Sequence, residues 1–97
     1  MIADKIKLLR TNCNMTQTEL AKKLGITRSS VNAWEMGISV PSTQYIVELA
    51  NIFNVSSDYI LGISEKATIN VAGLSEREVT ILSELVDYFK SKNKNKI

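Results

Sequence analysis

Arg28, Ser29, Asn32 and Ala33 recur at a spacing that puts them on one side of an α-helix, while Val31 and Trp34, three residues apart, take the other side. With the apolar pair turned to a core, the four face solvent. A guanidinium there can bond two acceptors on a guanine edge, a carboxamide suits an adenine, and the methyl of Ala33 can touch that of a thymine. Each good bidentate contact of this kind contributes about 1–3 kcal/mol of base discrimination. Ser29 adds a hydroxyl to the same face. The chemistry on offer is recognition through hydrogen bonds rather than bond making.

Little in the chain competes with that reading. The 97 residues include no histidine and a single cysteine. A metal cage, a Gly-rich phosphate loop and a nucleophile–base pair are all missing from the pattern, so neither a metal, a cofactor nor an enzymatic activity is expected. Cys13 cannot form an intrachain disulfide and reads as an inert helix-end residue in a reducing compartment. The opening MIADKIKLLR alternates charged and apolar types, unlike the continuous apolar stretch of a signal peptide. No apolar run approaches the ~18 residues of a membrane span, so a cytoplasmic location without membrane contact is expected. Twelve Lys and Arg against ten Asp and Glu leave a net charge of +2. Any attraction to a polyanion must then come from local arrangement. Splitting the chain at residue 63 gives six basic and five acidic residues on each side, so bulk charge assigns nothing.

The elements that must position the four residues are marked by repeated helix signals. Ile2, Ile6 and Leu9 keep helical spacing, and Asn12-Cys13-Asn14 favours a turn. Thr16 and Glu19 form a T-x-x-E capping box with Met15 and Leu20 as its apolar staple, and Gly25 closes the helix. Thr27 caps the next helix, with Ile26 and Val31 as staple, and Gly37 ends it. Two helices of about eight residues joined by a short glycine-containing turn make a helix-turn-helix over residues 17–36. Pro41-Ser42 opens a fourth helix carrying Ile46, Leu49, Ala50 and Phe53, stopped by Asn54. Ser56 caps a short fifth, with Val55 and Ile60 as staple and Gly62 as stop. The expected fold is all-α: five short helices over residues 1–63 sharing one core, with Trp34 inside it and Tyr45 and Tyr59 at its edge.

The stretches MTQTELAKKLGITRSSVNAWEMG and VPSTQYIVELANIFNVSSDYILG resemble the lambda-repressor/Cro-like helix-turn-helix family (XRE type) of bacterial and phage regulators. The resemblance covers roughly residues 2–63. It rests on Gln17 with the Ala-x-x-Leu-Gly ending, then Trp34-Glu35-x-Gly37, then Pro41-Ser42. It implies a DNA-binding domain whose third helix, residues 27–36, reads base edges in the major groove through Arg28, Ser29, Asn32 and Ala33. It also implies a phosphate contact by Gln17 at the start of helix two, and an ion pair between Arg10 and Glu35 tying helix one to helix three. In one respect the chain departs from the family, which often carries a basic residue in the loop after helix three. Here Met36-Gly37-Ile38-Ser39-Val40 is uncharged, leaving Ser39 and backbone amides to hold phosphate and making a lone domain a weak binder.

Residues 64–74 break the helical rhythm, and the alternation of 67–71 fits a short strand or an extended linker. Ser75 and Glu78 then form another capping box, with Leu74 and Val79 as staple, opening a helix over residues 75–92. On it Val79, Leu82, Val86 and Phe89 form one apolar stripe, and Ile81, Leu85 and Tyr88 form a second beside it. Together they span about half the circumference, where a surface helix needs roughly 100°. Val79, Leu82, Leu85, Val86 and Phe89 are therefore the expected homodimer interface, with residues 67–71 pairing across the two-fold axis. The alternative is a helix folded back on its own domain. Residues 93–97 read as a disordered basic tail. The expected function is that of a repressor binding an inverted-repeat operator as a homodimer, regulated by expression level or by a protein antirepressor. The competing reading is an antitoxin that binds its own operator and holds a toxin with the last helix.

Overall fold

A computed structural model of the chain describes residues 1–64 and 68–94. Its helices are α1 (Ile2–Asn12), α2 (Gln17–Leu24), α3 (Arg28–Glu35), α4 (Thr43–Phe53), α5 (Ser57–Leu61) and α6 (Glu76–Lys94). Among the described residues there is no strand, only an isolated antiparallel bridge between Val55 and Ile69. None of these helices is long and apolar enough to cross a membrane.

The starts and stops follow from capping chemistry. Thr16, Thr27 and Ser56 each accept a hydrogen bond from the backbone three residues on, which satisfies one of the amides a helix start leaves open. At the end of α2, Gly25 takes φ +70°, and Ile26 N–H donates back to the Ala21 carbonyl at 3.0 Å. That closure reverses the chain and tucks Ile26 against the core. Asn54 does the same for α4 without a glycine, at φ +55°, with Val55 N–H donating to the Ala50 carbonyl at 3.1 Å. Asparagine is the side chain that most readily tolerates this left-handed backbone.

One core holds the first five helices. Ile6, Leu20, Val31, Leu49 and Ile60 are completely or almost completely buried, one from each helix. Ala21, Leu24, Trp34, Ile46, Ala50 and Phe53 complete it, and Tyr45 lies at the edge with its ring centroid 5.6 Å from that of Trp34. Tyr59 sits at the edge too, under the Lys5 ammonium at 4.0 Å. Truncating a fully buried side chain such as Leu20 to alanine costs about 2–5 kcal/mol, so a single change can remove much of the stability of so small a domain. α3 packs against both α1 and α2, and that fixes which side of α3 faces out.

The C-terminal third is attached by its linker. Asn70 N–H donates to the Asn54 carbonyl at 3.2 Å beside the Val55–Ile69 bridge. Within one chain, then, Ile69 pairs with its own domain, so pairing of residues 67–71 across a two-fold would have to displace that bridge. Ala67, at the start of that stretch, lies outside the described residues. Ser75 and Glu78 make the expected reciprocal cap at 3.1 and 2.8 Å. α6 runs on to Lys94, two residues into the segment expected to be a tail, and residues 95–97 lie outside the described part. No α6 residue is buried. Val79 and Leu82 are half-covered where they share a shallow groove with Ile69 and Val71. The helix is not folded onto the core.

Candidate nucleic-acid interface

The outer side of α3 carries the candidate recognition residues. Val31 and Trp34 anchor the inner side, which leaves Arg28, Ser29 and Asn32 exposed and Ala33 half-buried. Among the described residues Arg28 has no hydrogen-bond or ion-pair partner, so its donors are uncommitted. Ser29 and Ala33 also line an open groove between α3 and the start of α4, with Ser39, Ser42 and Tyr45 along the other side.

A polar network sets the angle of α3. Arg10 meets Glu35 in a two-pronged ion pair, with Nε to Oε2 at 2.5 Å and Nη2 to Oε1 at 2.9 Å. Its remaining arm, Nη1, donates to the Met15 carbonyl at 2.7 Å and so fastens the α1–α2 turn as well. The paired side chains are 11% and 3% exposed. Burial works to raise the Glu35 carboxyl, but hydrogen bonds from Arg10 and Gln17 and the charges of Arg10 and Lys7 outweigh it and hold the group below its usual range. Arg10 is raised, chiefly by its hydrogen bond to Glu35.

Gln17 belongs to the same network. Its Nε2 donates to Glu35 Oε1 at 3.0 Å and to Asn32 Oδ1 at 3.2 Å, and its own Oε1 is buried without a partner. The amide orientation follows from the anchor: a carboxylate only accepts, so Gln17 must present nitrogen to Glu35, and Asn32 must then present oxygen to Gln17. The side chain singled out for phosphate contact is thus turned inward between α2 and α3. Around it Thr16 and Glu19 form their reciprocal cap, both bonds at 3.0 Å, and the Thr16 backbone N–H and hydroxyl hold the Glu19 carboxyl low. The backbone N–H groups of Gln17 and Thr18 remain at the positive end of α2.

The loop after α3 differs from expectation. Met36, Gly37, Ile38 and Ser39 N–H groups all donate to α3 carbonyls, Met36 to Asn32, Gly37 to Trp34, and both Ile38 and Ser39 to Ala33. A chain closing a helix with Gly37 at φ +73° turns these amides inward, so the loop backbone has little to offer an anion. The open donors lie one step further on. Ser42 makes no side-chain cap bond to α4, which leaves the first-turn N–H groups of that helix without a side-chain acceptor from it, and Ser39 and Ser42 line the same open groove. Sequence reasoning missed both this and the Gln17–Asn32 contact. The free cap at α4 had a signal in Ser42, which is not followed three residues later by Glu or Gln.

A short helix locked at its inner face by a buried tryptophan and an ion pair, with a polar outer face on which Arg28 is uncommitted, defines a DNA-binding type of helix-turn-helix domain. Comparison with known proteins agrees. The helix-turn-helix family model matches residues 6–60, more than half of the chain. The regulator ImmR of Bacillus subtilis is 31% identical over 87 residues, covering 89% of this chain and 68% of that protein. The uncharacterized regulator YqaE of the same organism is 38% identical over 61 residues, 63% of this chain and 53% of that one. Antitoxin PezA of Streptococcus pneumoniae is 34% identical over 96 aligned positions, 91% of this chain and 61% of that protein. The chain thus spans about half to two-thirds of the length of these relatives. A chain of the SinR protein/SinI protein complex shares the fold, with a TM-score of 0.60 at 24% identity over 98% of this chain and 100% of that one. The chain belongs to the lambda-repressor-like, XRE-type helix-turn-helix family of transcriptional regulators.

Proposed function

We propose that the protein represses transcription by binding an inverted-repeat operator as a homodimer, with α3 of each copy in a major groove. In this reading residues 1–63 are the DNA-binding domain, residues 64–74 the linker, and α6 the pairing element. The observation that carries it is the outer face of α3, where Arg28, Ser29 and Asn32 are exposed while Glu35 and Trp34 lock the inner side. Arg28 bonds a guanine edge, and Ala33 lies against a thymine methyl. Asn32 Oδ1 accepts from Gln17 but, like any carboxamide oxygen, has a second lone pair, so Asn32 makes the two-bond adenine contact, with Nδ2 donating to N7 and Oδ1 accepting from N6. Ser39 and the first turns of α2 and α4 supply neutral donors to phosphates on either side. With no charge in the loop after α3, one domain binds weakly, and pairing by Val79, Leu82, Leu85, Val86 and Phe89 supplies the second reading head. Two heads sit about 34 Å apart along the duplex. Occlusion of a promoter needs no more than this.

One observation favours a second reading. The similarity to antitoxin PezA extends over 91% of the chain, which supports α6 as a site for a toxin-like protein. Selecting genomic fragments bound by the full chain, then comparing an inverted repeat with its half-site, tests the first reading. A repeat preferred by at least a hundredfold is expected; equal affinity for the half-site overturns the homodimer. Stable co-purification with the product of a co-expressed neighbouring gene, with loss of self-association, supports the second.

A further inference from the structure

The open side of α6 carries a pattern that says how a second copy would lie on it, given the homodimer reading on which this inference rests. Ile81 and Leu85 are each 46% exposed, Tyr88 59% and Phe89 56%, whereas Val79, Leu82 and Val86 turn toward the groove shared with Ile69 and Val71. At 100° per residue, Glu78 and Lys92 fall inside the open apolar arc, not on the polar side. Glu78, Ile81, Leu85, Tyr88 and Lys92 follow alternating steps of three and four, the seam of a helix that packs lengthwise on another. One apolar seam is therefore closed by an acid at its start and a base at its end, each seven residues from Leu85.

Those two charges discriminate between orientations. Parallel pairing would set like against like at both ends of the seam. Antiparallel pairing sets acid against base at both. Apart from Arg77, the flanks have the same polarity: Glu76, Glu84 and Asp87 lie in the first two-thirds, and Lys90 and Lys94 in the last third. We infer that α6 packs antiparallel on α6 of a second copy, with the two-fold axis close to Leu85 and Glu78 opposite Lys92 of the partner subunit at both ends. Glu78 is suited to this, since its Oε1 accepts from the Ser75 backbone N–H at 2.8 Å, which fixes the carboxylate at the start of the seam. The capping bonds from Ser75 also keep the group ionised by holding its carboxyl below the usual range.

The test uses the full chain with Cys13→Ser and Asn93→Cys, carrying a nitroxide label at the new thiol and leaving both charges of the seam in place. Position 93 lies eight residues beyond Leu85 in each copy, an axial offset of about 24 Å at 1.5 Å per residue, so pulsed electron resonance should report roughly 25–35 Å between labels. A separation under about 15 Å in an intact dimer is the parallel arrangement and overturns the inference while sparing the homodimer. A chain that sediments as a monomer at every concentration overturns both. In unlabelled protein Lys92→Glu should weaken self-association about tenfold or more at low salt, since two opposite-charge pairs become two like-charge pairs. Lys90→Glu, on the polar side, has the same effect on the helix end but should leave association unchanged. Equal weakening by both variants overturns the pairing of Glu78 with Lys92 of the partner subunit.

Discussion

Replacing Arg10 with methionine keeps much of the side chain's length and removes its charge and all three of its hydrogen bonds. Glu35 would then be a carboxylate only 3% exposed, held by Gln17 alone. Removing one partner of a buried pair costs about 3–5 kcal/mol. The surviving Gln17 bond places this case near the lower end, about 3 kcal/mol. A domain of this size has roughly 6 kcal/mol at about 0.1 kcal/mol per residue, so about half of its stability should go. Urea unfolding at pH 7 followed by Trp34 fluorescence should show the midpoint falling by roughly 3 M, taking a slope near 1 kcal/mol/M. The pH dependence gives a sharper check. In the native chain the folded Glu35 carboxyl lies below its unfolded value of about 4.3. Its contribution is therefore present above that pH and lost as pH falls through the lower folded value. In the variant, burial is no longer outweighed, the folded carboxyl rises above the unfolded one, and the sign reverses. The deficit against the native chain should then shrink between pH 7 and pH 5. A deficit that stays constant over that window, or no loss at pH 7, would mean that Arg10 does not hold the Glu35 carboxylate ionised in the folded chain.

Three further outcomes are expected. Thr16→Ala removes the acceptor for the Glu19 backbone N–H and should lower stability by about 1 kcal/mol in the same urea assay. Asn54→Ala forces a side chain with no local hydrogen bond into φ +55° and should cost about 1 kcal/mol, whereas Asn54→Gly should change stability by less than about 0.5 kcal/mol. Gln17→Ala removes the bond that orients the Asn32 amide, so selection from randomised operators should show a weaker adenine preference at the base pair that Asn32 faces, with other positions unchanged.

The helix boundaries were legible in the sequence because capping is local chemistry. Thr16, Thr27, Ser56 and Ser75 each announce a helix with their own hydroxyl, and Gly25, Gly37 and Asn54 each mark a reversal within a few residues. The buried side chains followed from the same spacing, since the periodicity that puts Val31 and Trp34 together also exposes Arg28 and Asn32. What the sequence did not disclose depends on how helices cross. Gln17 and Asn32 are fifteen positions apart, and only the angle between α2 and α3 brings the two amides to 3.2 Å. The loop after α3 looked like a source of free amides because its lack of charge was visible and its inward hydrogen bonds to Ala33 and Trp34 were not. The bridge from Ile69 to Val55 was hidden likewise, since alternation names a strand but not its neighbour.

The central claim is that α3 reads base edges through its outer face. Its most direct test is the affinity of the full chain and of Arg28→Ala, at one fixed salt concentration, for the preferred operator and for every single-base-pair variant of it. Arg28→Ala should lose about 1–3 kcal/mol of discrimination at one base pair per half-site and keep the rest. Weakening by the same factor on every sequence would show that Arg28 only holds phosphate and reads no base edge.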